Sequence, residues 1–326
     1  MPDPREQERG AALLTVLLLV AVMAVIAAAS LEKLTLASRL SANAATGDQA
    51  RAYADSASLL AEKRLSELMD AQPGKLTLEG GWMGHAQALP VPGGVASIAP
   101  YDAGNCFNLN SLVAGVGDAN LKARPIAVSQ FAALMDALGV PDSRLIAAAA
   151  ADWIDSDAVP QPGGAEDEAY LSGENPYRAA NRMMADASEL RAVAGVSPAV
   201  YNLLKPWICA LPSTDLSPIN VNTLLPQQAP LLAMLIPGKL TLDGARALLA
   251  VRPPGGYDST VDFWAVSARQ GLTPPAEVAQ QVRLKTRWFG AELNVEIGGT
   301  RMRQWALYDA QSSPVRLVRR TWGERP

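Results

Sequence analysis

The first ten residues, MPDPREQERG, are polar and charged, and the chain then turns apolar without a break. Ala11–Ser30 reads AALLTVLLLVAVMAVIAAAS, with Thr15 and Ser30 its only polar positions. A helix of about 20 residues rises ~30 Å, the thickness of a bilayer's hydrocarbon core. No proline occurs from Ala11 to Gln72, so such a helix can leave a membrane and continue. Over Leu31–Met69 the pattern becomes an apolar stripe, with Ala57, Leu60, Ala61, Leu65 and Leu68 at helical spacing and Gly47 the one interior breaker. Gln72-Pro73-Gly74 ends the helix.

Short segments follow. Lys75–Leu78 and Val95–Tyr101 read as strands, with Pro92-Gly93-Gly94 as a turn. From Cys106 the periodicity is helical. Ile126–Leu138 places Phe131, Leu134 and Leu138 on one face and ends at Gly139, and Ser143–Ile154 is Ala-rich. A loop dense in acid, proline and glycine runs from Asp155 to about Asn181. Asp186 and Glu189 have capping-box spacing, and Ser197-Pro198 opens a helix over Ala199–Ile208. From Ile219 the order is turn, helix, short turn, helix. At the end Ala291, Leu293, Val295 and Ile297 alternate with Glu292, Asn294 and Glu296, as in a strand with one buried face. Gly298-Gly299 turns this strand into Thr300–Tyr308, and Val315–Trp322 completes an antiparallel meander. Strands need partners, so the pattern predicts an α+β protein whose helical block is inserted into a sheet-bearing domain. Two sequential domains would leave the early strands unpaired.

Charge and composition narrow the function. The 326 residues carry a net charge of -4, against the basic face that phosphate neutralisation needs, so a general nucleic-acid binder is disfavoured. The single histidine, His85, sits in the Gly-rich turn GGWMGHA and reads as a surface residue. Two cysteines, Cys106 and Cys209, exclude a four-thiolate metal site. In an exported domain they point to one disulfide, and in a reducing compartment to two buried thiols. The apolar run itself has two readings. Ala27-Ala28-Ala29 would suit signal-peptide cleavage, but the leader mixes Asp3, Glu6 and Glu8 with Arg5 and Arg9, and the run is long for a signal peptide. An anchor fits better, although Arg9 on one side faces Lys33 on the other and leaves orientation open.

Three stretches could carry chemistry. In Asp155–Glu168, Asp155, Asp157 and Glu166 match positions 1, 3 and 12 of an EF-hand loop. Val159 occupies the fifth-position ligand's place and Pro160 that of the turn glycine, so this is not an EF-hand. Clustered carboxylates beside Gly163-Gly164, with Asp152 one turn upstream, suit a hard cation such as Ca²⁺, and equally a solvated acidic loop. INVNT at Ile219–Thr223 and its two helices are similar to helix-hairpin-helix units, which bind phosphate through backbone N–H groups. Here the hairpin Ile236–Leu240 has one glycine, and packing or protein contact is the better use. Asn105–Asn110 reads as an Asn-rich turn. No Ser/His/Asp or Cys/His arrangement and no phosphate loop is present in the sequence.

Taken in order, these pieces resemble the minor pseudopilin K family of type II secretion systems. The resemblance rests on Arg9-Gly10 followed by Ala-Ala-Leu-Leu-Thr-Val-Leu-Leu, CFNLNSLV at Cys106–Val113, ADWIDSD at Ala151–Asp157 and GAEDEAYL at Gly164–Leu171. It continues through YRAANR at Tyr177–Arg182, SELR at Ser188–Arg191, PWICALP at Pro206–Pro212 and INVNT at Ile219–Thr223. It implies a non-enzymatic subunit that caps and helps initiate the pseudopilus, supporting protein export across the outer membrane. It implies a leader cut after Gly10 by prepilin peptidase, N-methylation of Ala11, and an inner-membrane span with the globular part in the periplasm. It implies a pilin-like fold, a long N-terminal helix on an antiparallel sheet with a large inserted α-helical domain. The expected divisions are 1–10 leader, 11–30 transmembrane, 31–105 first pilin-like part, 106–284 inserted α-domain and 285–326 C-terminal strands. Expected partners are minor pseudopilins I, J and H, with no nucleic acid. A structural calcium is carried onto Asp155, Asp157, Glu166, Asp167 and Glu168. Thr15 stands where most pilins have a glutamate that pairs with a neighbour's amino terminus, which fits a subunit with no neighbour above it. The competing reading is a membrane-anchored helix-hairpin-helix protein that binds DNA.

Overall fold

The computed structural model describes residues 4–173, 175–269 and 271–323, with side chains from residue 11 onward. Residues 1–3 of the expected leader lie outside the described residues. Helix α1 spans Pro4–Ala71 and passes through Gly10 and Ala11. Its residues 11–44 are exposed, so the apolar span has no packing partner among the described residues. Farther along, Ala57, Ala61 and Leu65 are buried and Leu60 and Leu68 half-buried, so the stripe seen in the sequence is the packed face.

That face lies on a five-stranded antiparallel sheet formed by β1 (Gln87–Val91), β2 (Gly94–Asp102) and three C-terminal strands. The helical block follows β2. Its short strands are β3 (Phe107–Asn108), β4 (Val113–Ala114), β5 (Lys122–Ala123), β6 (Ile208–Cys209), β7 (Ile219–Asn220) and β8 (Val282–Arg283). Its helices are α2 (Pro125–Ala137), α3 (Ser143–Asp152), α4 (Asp167–Leu171), α5 (Pro198–Leu204), α6 (Ala229–Ala233), α7 (Leu242–Ala250), α8 (Thr260–Ala268) and α9 (Ala276–Ala279). The meander β9 (Trp288–Ile297), β10 (Thr300–Asp309) and β11 (Arg316–Trp322) returns to the sheet, in the order β1-β2-β9-β10-β11. Because β2 pairs with β9, the block leaves and re-enters through neighbouring strands, from Asp102 opposite Phe289 to Gly94 opposite Ile297.

Two cores result. One joins α1 to the sheet through Phe289, Ala291, Leu293, Ala306 and Tyr308, and the Tyr308 hydroxyl donates to the Ser58 carbonyl at 3.0 Å. The other is a continuous apolar cluster inside the helical block, where Phe107 stacks on Phe131 at 4.7 Å.

Several expected elements differ. Lys75–Leu78 is not a strand: the Leu76 N–H donates to the Leu284 carbonyl, but the Thr77 N–H turns to the Gln72 side chain, so no ladder propagates. The helix expected to reach Ile208 stops at Leu204, because Pro206 has no N–H with which to continue the ladder, and Ile208–Cys209 pairs as β6 with β3. The capping box at Asp186 and Glu189 is present, but the turn it opens, Ala187–Ala192, is a 3-10 helix. Helix α4 falls within the stretch expected to be loop.

Candidate metal centre

Helix α3 is built from alanines that pack closely, and its hydrogen bonding carries past Asp152: the Trp153 N–H donates to Ala149 and the Asp155 N–H to Ala151. Asp155 therefore lies one turn beyond Asp152 and faces inward, fully buried. Trp153 and Ile154 are buried beside it, and Trp153 meets Tyr170 edge-on at 5.3 Å, which ties the end of α3 to α4. Both the N–H and the hydroxyl of Ser156 donate to the Leu121 carbonyl at 3.0 Å, directing the chain outward. Asp157 is exposed and closes a small turn by accepting the Val159 N–H at 2.9 Å. The loop returns through Gln161, whose N–H reaches both Asp152 oxygens at 3.0 and 3.1 Å. Glu166 follows, 7% exposed, at the start of α4.

Asp155, Asp157 and Glu166 converge, with one carboxylate oxygen from each lying within 4.8 Å of the others. Both oxygens of Asp155 and both of Glu166 are buried and lack a hydrogen-bond partner. Burial, and then the charges of Asp157 and Asp152, push the Asp155 carboxyl up to about 7. Burial, and then the charges of Asp155, Asp152 and Asp157, push Glu166 up to about 7 as well. Unpaired buried carboxylates are costly, and a hard cation that takes oxygen ligands relieves both their desolvation and their mutual repulsion. The residues present thus fit Ca²⁺ chemistry. Asp167 and Glu168, expected as possible ligands, are not in this cluster. Asp167 pairs with Arg178 at 3.0 Å and accepts the Ala179 N–H, while Glu168 is exposed.

Cys106 and Cys209 are joined in a disulfide with Cα atoms 5.9 Å apart, next to the β3–β6 pair. His85 is exposed, as its turn suggested.

No sequence motif points to the node at Asp102. This buried carboxylate ends β2 and accepts the N–H groups of Gly104 and Asn105 and the hydroxyls of Thr223 and Thr286. Asn220 extends the node, its N–H donating to the Asn105 side-chain oxygen at 2.9 Å and its side-chain amide donating to the Thr286 hydroxyl oxygen and the Leu76 carbonyl. INVNT is therefore spent on joining the helical block to the sheet: Asn220, Asn222 and Thr223 are all buried. Asn108 and Asn110, read as an Asn-rich turn, are buried staples, with Asn110 donating to the Met184 and Leu211 carbonyls at 2.9 and 2.8 Å. In the hairpin Ile236–Leu240 only Pro237, Gly238 and Lys239 are exposed, which offers a phosphate little cationic surface.

Two family models described as Type II secretion system (T2SS), protein K match residues 105–213 and 219–286. The chain is 36% identical to the type II secretion system protein K of Pectobacterium carotovorum subsp. carotovorum, over 98% of each chain. It is 37% identical to that of Aeromonas hydrophila, over 94% of each. Its fold matches a chain in the crystal structure of the GspK-GspI-GspJ complex from the type 2 secretion system of enterotoxigenic Escherichia coli. That match has a TM-score of 0.73 at 30% identity and covers 85% of this chain and 97% of that one.

Proposed function

This chain belongs to the type II secretion system protein K family, and we propose that it caps and helps initiate the pseudopilus as a non-enzymatic minor pseudopilin. The observation that carries this reading is similarity along nearly the whole chain, reaching a relative solved as a complex of proteins K, I and J. On this reading the partners are minor pseudopilins I and J, with H below them. The exposed apolar part of α1 anchors the chain in the inner membrane with its sheet and helical block in the periplasm. Prepilin peptidase cuts between Gly10 and Ala11, and Ala11 is then N-methylated. Calcium binds Asp155, Asp157 and Glu166 as a structural ion, supported by the orphaned oxygens of the two buried carboxylates.

Co-expression with pseudopilins I and J, solubilisation in detergent and purification through a tag on this chain tests the central claim. Recovery of a ternary complex is expected. Recovery of this chain alone, together with a salt-dependent shift of duplex DNA at physiological ionic strength, would instead favour the nucleic-acid reading. Intact mass of the mature chain tests the processing: a start at Ala11 with one added methyl is expected, and a start at Ser30 contradicts it.

A further inference from the structure

We propose that Asp152 and Gly164 form a positioning element for the cation loop: the Asp152 carboxylate pins the returning limb against α3 and so delivers Glu166 to Asp155. This rests on the calcium reading of Asp155, Asp157 and Glu166.

Asp152 is fully buried, but unlike Asp155 and Glu166 its oxygens have partners. They accept the Gln161 N–H at 3.0 and 3.1 Å. That bond holds the chain just before Gly163-Gly164, and Asp152 lies outside the converging group of Asp155, Asp157 and Glu166, so it is a positioning residue rather than a ligand. The two glycines meet different demands. Gly163 has a φ of +81°, which L side chains avoid. Gly164 has no such conformation. A Cβ there would stand 1.8 Å from Asp152 Oδ2 and 2.8 Å from its Cγ, so the limb lies directly against the carboxylate. Pinning the limb at Gln161 and seating Gly164 against the carboxylate fixes the path of the chain into Glu166. An added methyl at 164 must push limb and carboxylate apart without changing any charge.

The absence of a charge change makes the test discriminating. Calcium alone is titrated calorimetrically into the chelator-cleared full chain in detergent micelles, for wild type, G164A, D152A and D152N, and unfolding of each is followed in chelator. Calcium affinity is expected to fall tenfold or more in G164A and D152A. D152N, which keeps one accepting oxygen, should fall between them and wild type. Asp152 acting through its charge alone would leave G164A at wild-type affinity and make D152N equal to D152A. A purely structural role would lower the chelator melting temperature and leave affinity within twofold of wild type. Either result overturns the proposal, and D152N decides it if the other two variants do not fold. Absence of calcium binding by wild type overturns the calcium reading itself.

Discussion

Asp155 and Glu166 hold four buried carboxylate oxygens without a hydrogen-bond donor, a condition stable only when charge is removed or matched. D155N removes one charge at nearly constant volume. Its melting temperature in chelator is expected to equal or exceed that of wild type, because repulsion with Asp157 and Glu166 falls. The rise on adding calcium should disappear. For wild type, saturation to 100 times Kd contributes about 2.7 kcal/mol, or roughly 4 °C for a chain of this size. Differential scanning calorimetry of both proteins in calcium and in chelator reads the difference. The same carboxylates set a pH dependence. Both are raised to about 7 in the fold, whereas in the unfolded chain they ionise near pH ~4. Between these values the folded state holds protons that the unfolded state has lost, so calcium-free stability from these groups falls as pH rises toward 7. Calcium should therefore raise the melting temperature more at pH 8 than at pH 5.5. An equal rise at both pH values, or a larger one at 5.5, would contradict the assignment.

Elements with a strong period were legible in the sequence, and those held by side chains were not. Strict alternation over Ala291–Ile297 became β9, with all four apolar residues buried. The stripe on α1 became its sheet-facing side. Strand β1, QALPV, has no alternation and contains Pro90, yet it pairs because the Pro92-Gly93 turn folds it onto β2. The candidate cation loop was visible as composition and spacing. That Asp155, Asp157 and Glu166 converge while Asp167 turns aside was not, because the position of Asp167 depends on Arg178 and the Ala179 N–H. Least legible was the junction of sheet and helical block, since Asp102, Thr223 and Thr286 are far apart in sequence and each is unremarkable alone. Here D102A leaves four buried donors without an acceptor, and the variant is expected to lose about 3 kcal/mol or more. Urea unfolding of the full chain in detergent checks this, and a loss below 1 kcal/mol would mean the donors find other partners.

The apolar part of α1 and the disulfide both bear on the compartment of the folded domain. Cys106 lies just after β2, where the chain leaves the sheet, and Cys209 lies in β6, well inside the helical block. Their bond closes a loop across a sequence separation of 103, inside which lie α2, α3 and the acidic loop. In the chain-entropy account a loop of that size contributes about 4.7 kcal/mol, and removal of such bonds costs about 2–5 kcal/mol. The bond persists only in an oxidising compartment. Its state therefore reports on which side of the membrane the domain lies, the question that the balanced charges flanking the span leave open. The full chain is to be isolated from bacterial membranes, denatured without reductant and alkylated, and its thiols counted by intact mass. No alkylated cysteine is expected in cells with periplasmic thiol oxidation, and two in cells lacking it. The second sample should also be digested faster by added protease, since its inserted block has lost the covalent tie between Cys106, at its entry, and β6. Two free thiols in both strains would place the domain in a reducing compartment and overturn the periplasmic orientation.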